Sequence, residues 1–244
     1  MRTRIAALGI VAAVLTLTAC VYTGSGPLLT SDDLAGRTTD EARDVDGFTG
    51  IAVGGYADLT VTEGSEFSVV VTADENLQEH VTTHVNGSTL EISQEYSYFG
   101  TPPRVVVAVT LPALSKVSLS GSSDASIRVT NPESLEVKVS GSADVDLRSD
   151  ATSLSLSVSG SGTITASGTV TTAAISVSGS GDVNGDNLSA RDATVNVSGS
   201  GDVSVRARES IDARVSGSGH VTYFGDPAVS QNVSGSGNVE RADA

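Results

Sequence analysis

The chain has 244 residues, enough for one sizeable domain or two small ones. It carries 29 acidic residues against 14 Lys and Arg, and a net charge of −15 disfavours nucleic acid or an anionic lipid surface as a partner, because both would be repelled. Aromatic residues make up 4% of the chain and tryptophan is absent, so stacking platforms for sugars or bases are scarce.

The first twenty residues are typical of an export signal. Two arginines precede an apolar run from residue 5 to residue 17, which is too short for a membrane span. The run closes with Leu17-Thr-Ala-Cys20, which resembles the lipobox of bacterial lipoproteins. That resemblance implies that residues 1–19 are a signal peptide and that Cys20, the only cysteine, carries the lipid, with acyl chains such as palmitate. We therefore expect an exported lipoprotein anchored to the outer face of the bacterial cell membrane, with an ordinary secretory signal and an incidental cysteine as the alternative.

Residues 20–46 are predicted to be the lipidated cysteine and a flexible tether. From residue 21 the segment is polar and rich in Gly, Thr and Asp, and no apolar period is sustained. Such a composition is typical of a flexible connection. The folded domain is predicted to occupy residues 47–244.

Order is expected to begin near Phe48. Aligning Val53–Leu59 with Val197–Val203 matches a glycine and the aspartate three residues after it, Asp58 in the first stretch. We interpret the first stretch as a diverged first copy of a unit repeated later in the chain. A terminal repeat is expected to be atypical, because one of its sides must meet solvent.

Residues 64–115 are predicted to form a less regular, β-rich part. Apolar residues alternate at 67–71 and again at 105–111, which indicates two strands. Asp74 is suited to cap a short helical turn. Val81–Ile92 is typical of a hairpin, with Asn-Gly supplying the turn.

From residue 116 to residue 240 the chain repeats one short unit. The tripeptide Ser-Gly-Ser occurs seven times, at intervals of 18 to 20 residues. Valines and glycines occupy alternate positions, and serines and aspartates occupy the others, so the two sets point to opposite faces of a strand. The seven glycines are Gly121, Gly141, Gly160, Gly179, Gly199, Gly217 and Gly235.

This periodicity predicts an all-β fold, a parallel β-helix (β-solenoid) with about 18–20 residues per coil. Identical successive units favour parallel stacking, whereas a sandwich would need hairpins and varied loops. About 19 extended residues trace roughly 60 Å, enough for one coil of two or three strands. The inward glycines are predicted to mark places where opposing walls come too close for a Cβ.

Four features together resemble the bacterial GIN domain family of auto-transporter adhesin heads. They are Phe48–Gly55, Thr72–Gln78, Gly87–Ile92 and the Val-Ser-Gly-Ser-Gly-Asp-Val repeats, and the resemblance spans residues 47–239. It implies a right-handed β-helix and a location at the cell surface.

An outward ladder of polar residues follows the glycines and is the most suggestive candidate site. Adjacent rungs place carboxylates about 5 Å apart, so they are weak candidates for binding Ca²⁺ or for general acid and base work on a polysaccharide. The alternative is that these side chains satisfy backbone groups at the corners. The ladder is Asp58, Asp124, Asp144, Thr163, Asp182, Asp202, His220 and Asn238, and the weak metal candidates are Asp124, Asp144, Asp182 and Asp202.

A second outward row consists of serines, whose hydroxyls we expect to hydrogen-bond along the stack. His220 could neighbour Ser200 or Ser218, but no buried aspartate is identifiable to orient it for nucleophilic catalysis. The row is Ser120, Ser140, Ser159, Ser178, Ser198, Ser216 and Ser234.

The sequence as a whole favours a non-catalytic, lipid-anchored surface protein that binds a glycan or protein ligand at the envelope, in an adhesive or structural role. No catalytic residue and no cofactor are predicted. One alternative is a β-helix lyase or hydrolase that acts on polysaccharides through ladder carboxylates. Another is an envelope scaffold or sensor that binds a protein through an exposed coil edge near Asn232–Glu240.

Overall fold

The computed structural model describes residues 26–243, so the predicted signal peptide and Cys20 lie outside the described residues. None of the helices within residues 26–243 is long and apolar enough to cross a membrane. The same described range holds two short 3-10 helices, Ser31–Asp33 and Glu75–His80. The strands are β1 Leu28–Leu29, β2 Thr38–Arg43, β3 Gly50–Gly55, β4 Asp58–Glu63, β5 Ser68–Asp74, β6 Val81–Asn86, β7 Thr89–Gln94, β8 Ser97–Tyr98, β9 Val106–Leu111, β10 Lys116–Gly121, β11 Ala125–Val129, β12 Ser134–Gly141, β13 Asp144–Ser149, β14 Ser153–Gly160, β15 Thr163–Gly179, β16 Asp182–Gly199, β17 Val203–Gly217, β18 His220–Phe224, β19 Ala228–Gly235 and β20 Asn238–Arg241.

Each coil has a first wall, which runs up to the glycine of Ser-Gly-Ser, and a second wall, which begins at the ladder position. In the coil that holds β10 and β11, these two strands are the first and the second wall; β15, β16 and β17 each continue from the second wall of one coil into the first wall of the next. Successive coils pair in parallel, with Val117 beside Val137 and Ile211 beside Val229. The β-solenoid prediction is confirmed, with 18 to 20 residues per coil and about seven turns.

The inside of the stack is formed by aliphatic side chains at alternate positions. Val195 and Val197 are at most 2% exposed, whereas Asn196 and Ser198, which each follow one of them, are exposed. Because β-branched residues fit the pleated surface well and successive coils stack like on like, one apolar column runs through the whole domain. The predicted division into an apolar face and a polar face is therefore confirmed.

The glycines are required for a reason different from the one predicted. Gly199 has a φ of +139°, and a Cβ there would overlap the backbone of Gly179 in the preceding coil. Gly201 has the same kind of neighbour, since a Cβ would overlap the carbonyl oxygen of Gly181. The close approach is thus between stacked coils and not between opposing walls, because the backbone turns at this corner and the next coil rests directly on it.

The diverged copy at residues 50–63 is not the end of the stack. On one side β3 pairs with β10, and on the other it pairs with β7, both in parallel. In the same way β4 lies between β11 and β9. The prediction of a repeat unit here is correct, but the prediction that it is terminal is wrong, because residues 64–115 fold back and add a further coil from β7 and β9.

Antiparallel strands cover this end of the stack, which we name the capped end. β5 pairs with β9 and β2 pairs with β5, while β6 and β7 form the predicted hairpin. Asp74 caps the Glu75–His80 helix as expected, and Leu77 of that helix is fully buried.

The flexible tether predicted to continue through residue 46 is wrong for residues 38–43, which form β2. The carboxylate of Asp74 accepts hydrogen bonds from the backbone N–H groups of Ala35 and Gly36, at 2.9 and 2.8 Å. Arg43, at the end of β2, donates to the backbone oxygen of Gln78 at 2.8 Å. Long-range partners of this kind leave no pattern in a short polar segment, so composition indicated flexibility where the fold imposes order.

Candidate functional site

The ladder residues do stack in neighbouring coils, as predicted, but four of their carboxylates, those of Asp124, Asp144, Asp182 and Asp202, are engaged with the backbone. Asp202 accepts a hydrogen bond from the N–H of His220 at 2.8 Å, and Asp182 accepts one from the N–H of Asp202 at 2.8 Å. Asp124 and Asp144 repeat the arrangement toward the ladder position of the next coil, at 3.2 Å. Each carboxylate therefore bridges one corner to the next, which is the backbone-satisfying alternative.

The weak metal candidates come together only in neighbouring pairs along the stack. Among residues 26–243, no group of three or more His, Cys, Asp or Glu side chains is close enough to hold a metal ion. One oxygen of each candidate, Asp124, Asp144, Asp182 and Asp202, already accepts a backbone N–H. Hard cations such as Ca²⁺ take six to eight oxygen ligands, and a pair of partly used carboxylates supplies few of them.

One position of the ladder forms a side-chain pair that the sequence did not reveal. The Nδ1 atom of His220 lies 3.2 Å from Oδ1 of Asp202, and both side chains are more than half exposed. Asp202 therefore contacts His220 at the exposed surface and not from a buried position. Both groups are open to water, which weakens their interaction.

The outer face of the second wall holds an open groove that crosses β4, β11, β13 and β15. Its volume is about 570 Å³, and one end is marked by Arg104, whose Nε donates to Asp58 at 3.0 Å. Hydroxyl and carboxylate side chains form most of the polar lining, and they repeat with the spacing of the strands. The lining residues are Asp58, Leu59, Thr60, Arg104, Asp124, Ala125, Ser126, Asp144, Val145, Asp146, Thr163 and Thr165.

The outer face of the first wall presents the serine row. Ser120 donates to the backbone oxygen of Val53 in the neighbouring coil at 3.2 Å. Within the described part of the chain the other six members of the row make no protein hydrogen bond through their hydroxyls, so the expected bonding along the stack is wrong for them. All six residues are exposed, and four of them, Ser178, Ser198, Ser216 and Ser234, line a shallow trough together with Asn196 and Arg214.

Two carboxylates on the first wall have lowered pKa values. The ammonium group of Lys138 holds the pKa of Glu136 below its ordinary value, with a second contribution from Lys116. The hydroxyl of Ser210 does the same for Asp192, helped by Arg191. Both carboxylates are therefore ionised at neutral pH. Because basic side chains lie beside them, the outer face of the first wall carries charges of both signs and is not uniformly negative.

An aromatic cluster at the capped end was missed by the sequence reasoning. The rings of Tyr56 and Tyr96 meet edge to face with centroids 5.9 Å apart, and His80 packs against Tyr96 at 6.0 Å. Burial raises the pKa of both phenols. No local pattern joins residues 56 and 96, since it is the parallel pairing of β3 with β7 that brings them together.

A comparison with family models matches residues 47–227 to the family described as "Putative auto-transporter adhesin, head GIN domain". The chain belongs to this family. The resemblance noted from the sequence is confirmed, and the match ends just before β19. A search of curated proteins returns no match.

Solved structures share the fold of this GIN domain over most of its length. A "putative adhesin" from Bacteroides fragilis has a TM-score of 0.79 at 23% identity and covers 88% of this chain and 100% of its own. A "putative lipid binding protein" from Parabacteroides distasonis has a TM-score of 0.72 at 27% identity, covering 88% and 99%. A "putative adhesin" from the same species has a TM-score of 0.70 at 26% identity, covering 88% and 100%.

Proposed function

We propose that this protein is a non-catalytic adhesin of the bacterial cell surface, anchored by lipid on Cys20, and that the groove of the second wall binds a glycan or protein ligand. The family and two of the similar structures carry adhesin names, which supports this choice. The observation that carries it is the groove itself, in which hydroxyl and carboxylate groups repeat along a rigid wall.

The chemistry of the groove suits a hydroxyl-rich ligand or a basic peptide. Ser126, Thr163 and Thr165 supply hydroxyls, and Arg104 supplies a cation that is 80% exposed. A periodic ligand could repeat its contacts from coil to coil, since the groove spans four neighbouring strands. Many weak contacts of this kind give avidity without a deep pocket.

The test is binding of the purified chain to a panel of glycans and envelope polymers, with and without Ca²⁺. Ser126→Tyr fills the groove, and Ser198→Tyr places the same ring on the exposed first wall. We expect Ser126→Tyr to weaken binding at least about tenfold and Ser198→Tyr to leave it unchanged. Loss of binding with Ser198→Tyr alone would move the site to the serine trough, and no binding to any member of the panel would contradict ligand binding by the groove.

The non-catalytic assignment is tested by turnover of the same polysaccharides. Asp182 and Asp202 are the two adjacent carboxylates to change, and His220 pairs with the second. We expect no turnover by the unmodified chain. Cleavage that disappears when both aspartates become asparagine would establish the lyase or hydrolase alternative.

The second alternative is an envelope scaffold or sensor that binds a protein through the coil edge. A specific observation favours contact at this place, because Val229 and Val233 on the last coil are 43% and 41% exposed. Capture of an envelope protein that depends on these valines would support the scaffold, and the binding panel would then be negative.

A further inference from the structure

The end of the stack opposite the capped end is uncovered, and we name it the open end. It consists of β19 and β20, which within the described residues pair on one side only, with β17 and β18. Val229 and Val233 are 43% and 41% exposed, although Ile211 and Val215 at the same positions of the preceding coil are 1% and 2% exposed. The open end therefore exposes both an unpaired strand edge and the apolar column inside the coil.

β19, the first-wall strand of the open end, lacks the features that usually protect sheet edges. Natural edge strands carry charges or proline, or are covered by another element. The eight residues of β19 include neither a charged residue nor a proline, and in β20 the charges of Glu240 and Arg241 cancel. At the capped end, by contrast, β2 carries Asp40, Glu41 and Arg43 on its edge. Although the chain has a net charge of −15, it carries no charge along β19, the first-wall strand with one unpaired edge.

A second copy of the chain covers the open end better than a single strand does. A peptide that adds to β19 would extend the first wall only and would leave the second wall and the column between the walls in water. Another open end presents two walls at the same separation, with the column between them. Because β19 carries no charged residue, two copies of this acidic protein can meet along it without bringing like charges opposite each other.

We propose that the open end binds the open end of a second copy in a two-fold, antiparallel arrangement. Directly opposite residues of an antiparallel pair share one face, so inward residues must oppose inward residues. Centring the axis on Gln231 places it opposite its own copy and Val229 opposite Val233 of the second copy. This register pairs seven residues of each β19 and joins the two apolar columns into one. A two-fold contact uses the same surface on both copies, so association ends at the dimer.

The dimer adds a partner to the proposed adhesion, namely a second copy of the chain. This part of the inference rests on the proposed function, because it requires the lipid anchor on Cys20. Gly26, the first described residue, lies beside Glu95 at the capped end, so the anchor on Cys20 joins the molecule there. The open end lies eight strand spacings further along the stack, about 38 Å at about 4.8 Å per strand. Two copies joined by their open ends direct their anchors away from each other and link two membranes.

The first experiment measures association of the purified full chain in detergent by sedimentation equilibrium over a micromolar to submillimolar series. We expect a monomer–dimer equilibrium that weakens at least about tenfold in Val229→Asp and in Val233→Asp. Ser198→Asp adds the same charge to the outer face of an inner coil and is expected to dimerise like the original chain. A monomer at all concentrations, or equal dimerisation of all variants, would overturn the proposal.

The second experiment tests the register and does not depend on a loss of association. Residues directly opposite in an antiparallel pair have Cα atoms about 4.5–5.5 Å apart, which a disulfide can bridge. Gln231→Cys is expected to form a covalent dimer under mild oxidation, whereas Ser198→Cys and the original chain are not. A covalent dimer that forms equally well with Ser198→Cys would contradict the register.

The third experiment separates this inference from the proposed ligand binding. Vesicles of neutral phospholipid that carry the lipidated chain are expected to cluster in the absence of any glycan, and Val233→Asp is expected to abolish clustering while Ser126→Tyr leaves it intact. Clustering therefore fails or succeeds independently of the groove. Dimers in solution without clustering of vesicles would overturn the link between membranes, and a negative glycan panel alongside clustering would overturn only the groove.

Discussion

The glycine of Ser-Gly-Ser is the residue on which coil stacking depends. Gly199 combines a φ of +139° with a backbone neighbour that leaves no room for a Cβ, and the other six copies share both properties. Glycine at this position is therefore a steric requirement at every turn. The seven copies persist because each coil rests on the glycine of the coil before it.

We predict that Gly199→Ala destabilises the domain more than an alanine at an unobstructed glycine does. Backbone strain costs about 1–3 kcal/mol, and overlap with the backbone of the preceding coil adds about 1–3 kcal/mol. Gly87→Ala is the matched control, since Gly87 has a φ of +61° but nothing within 4 Å of a Cβ. Urea unfolding of both variants measures the difference, and equal free energies of unfolding would refute the stacking explanation.

The ladder aspartates act at the same scale as acceptors for the next coil. We predict that Asp202→Ala lowers the free energy of unfolding by about 1 kcal/mol, because the N–H of His220 loses its carboxylate acceptor. Asp202→Asn keeps an acceptor oxygen and is expected to cost less. Thermal unfolding of the two variants distinguishes them. An asparagine as harmful as the alanine would show that the charge matters more than the hydrogen bond.

At the scale of elements, β2 shows how the capped end is assembled. It joins the sheet as an antiparallel partner of β5, and Asp74 at the end of β5 fastens the chain just before β2. Burial alone would raise the pKa of Asp74, but hydrogen bonds from the N–H groups of Ala35, Asn76 and Gly36 outweigh it and lower the pKa. The carboxylate must therefore be ionised for this cap to hold.

We predict that acid weakens the capped end through Asp74. Since its pKa is lower in the folded state than the ordinary value of about 3.9, its contribution is complete above that value and is lost as the pH falls through the folded pKa. Asp74→Asn should cost about 2 kcal/mol at pH 7 and reduce the loss of stability toward acid. Urea unfolding at a series of pH values measures this, with the exposed Asp46→Asn as the control.

A parallel pH dependence in Asp74→Asn and the unmodified chain would contradict this role. Limited proteolysis provides a local readout, because the proposed loss concerns the segment around β2. Cleavage within residues 35–43 is expected to accelerate in Asp74→Asn before the rest of the domain unfolds.

At the scale of the whole molecule, the two ends of the solenoid differ in kind. Antiparallel strands, a 3-10 helix and charged residues close the capped end, whereas the open end leaves a strand edge and an apolar column in contact with water. This polarity gives the molecule a direction from the segment that follows Cys20 to the open end. A stack of coils with one uncovered end is consistent with the proposed role, in which the open end makes contacts away from the anchor.

We predict that Cys20→Ser releases the protein from the lipid-anchored state. The serine cannot accept the thioether-linked lipid, so labelling with radioactive palmitate should disappear and the membrane fraction should lose the protein after the signal is processed. Fractionation and labelling of cells expressing each form measure this, with Ser31→Ala as a control substitution. Unchanged labelling would exclude lipidation at Cys20.

The sequence by itself determined the repeat, its period and the faces of its strands, because alternation of valine with serine is a local property that stacking merely repeats. It also indicated the Asp74 cap and the Asn-Gly hairpin, which depend on neighbours along the chain. Only the tertiary structure decided that residues 50–63 are interior, that β2 is ordered, and that Tyr56 meets Tyr96. These depend on antiparallel and fold-back pairings between distant segments, and such pairings follow from the packing of one end of the stack rather than from any period in the sequence.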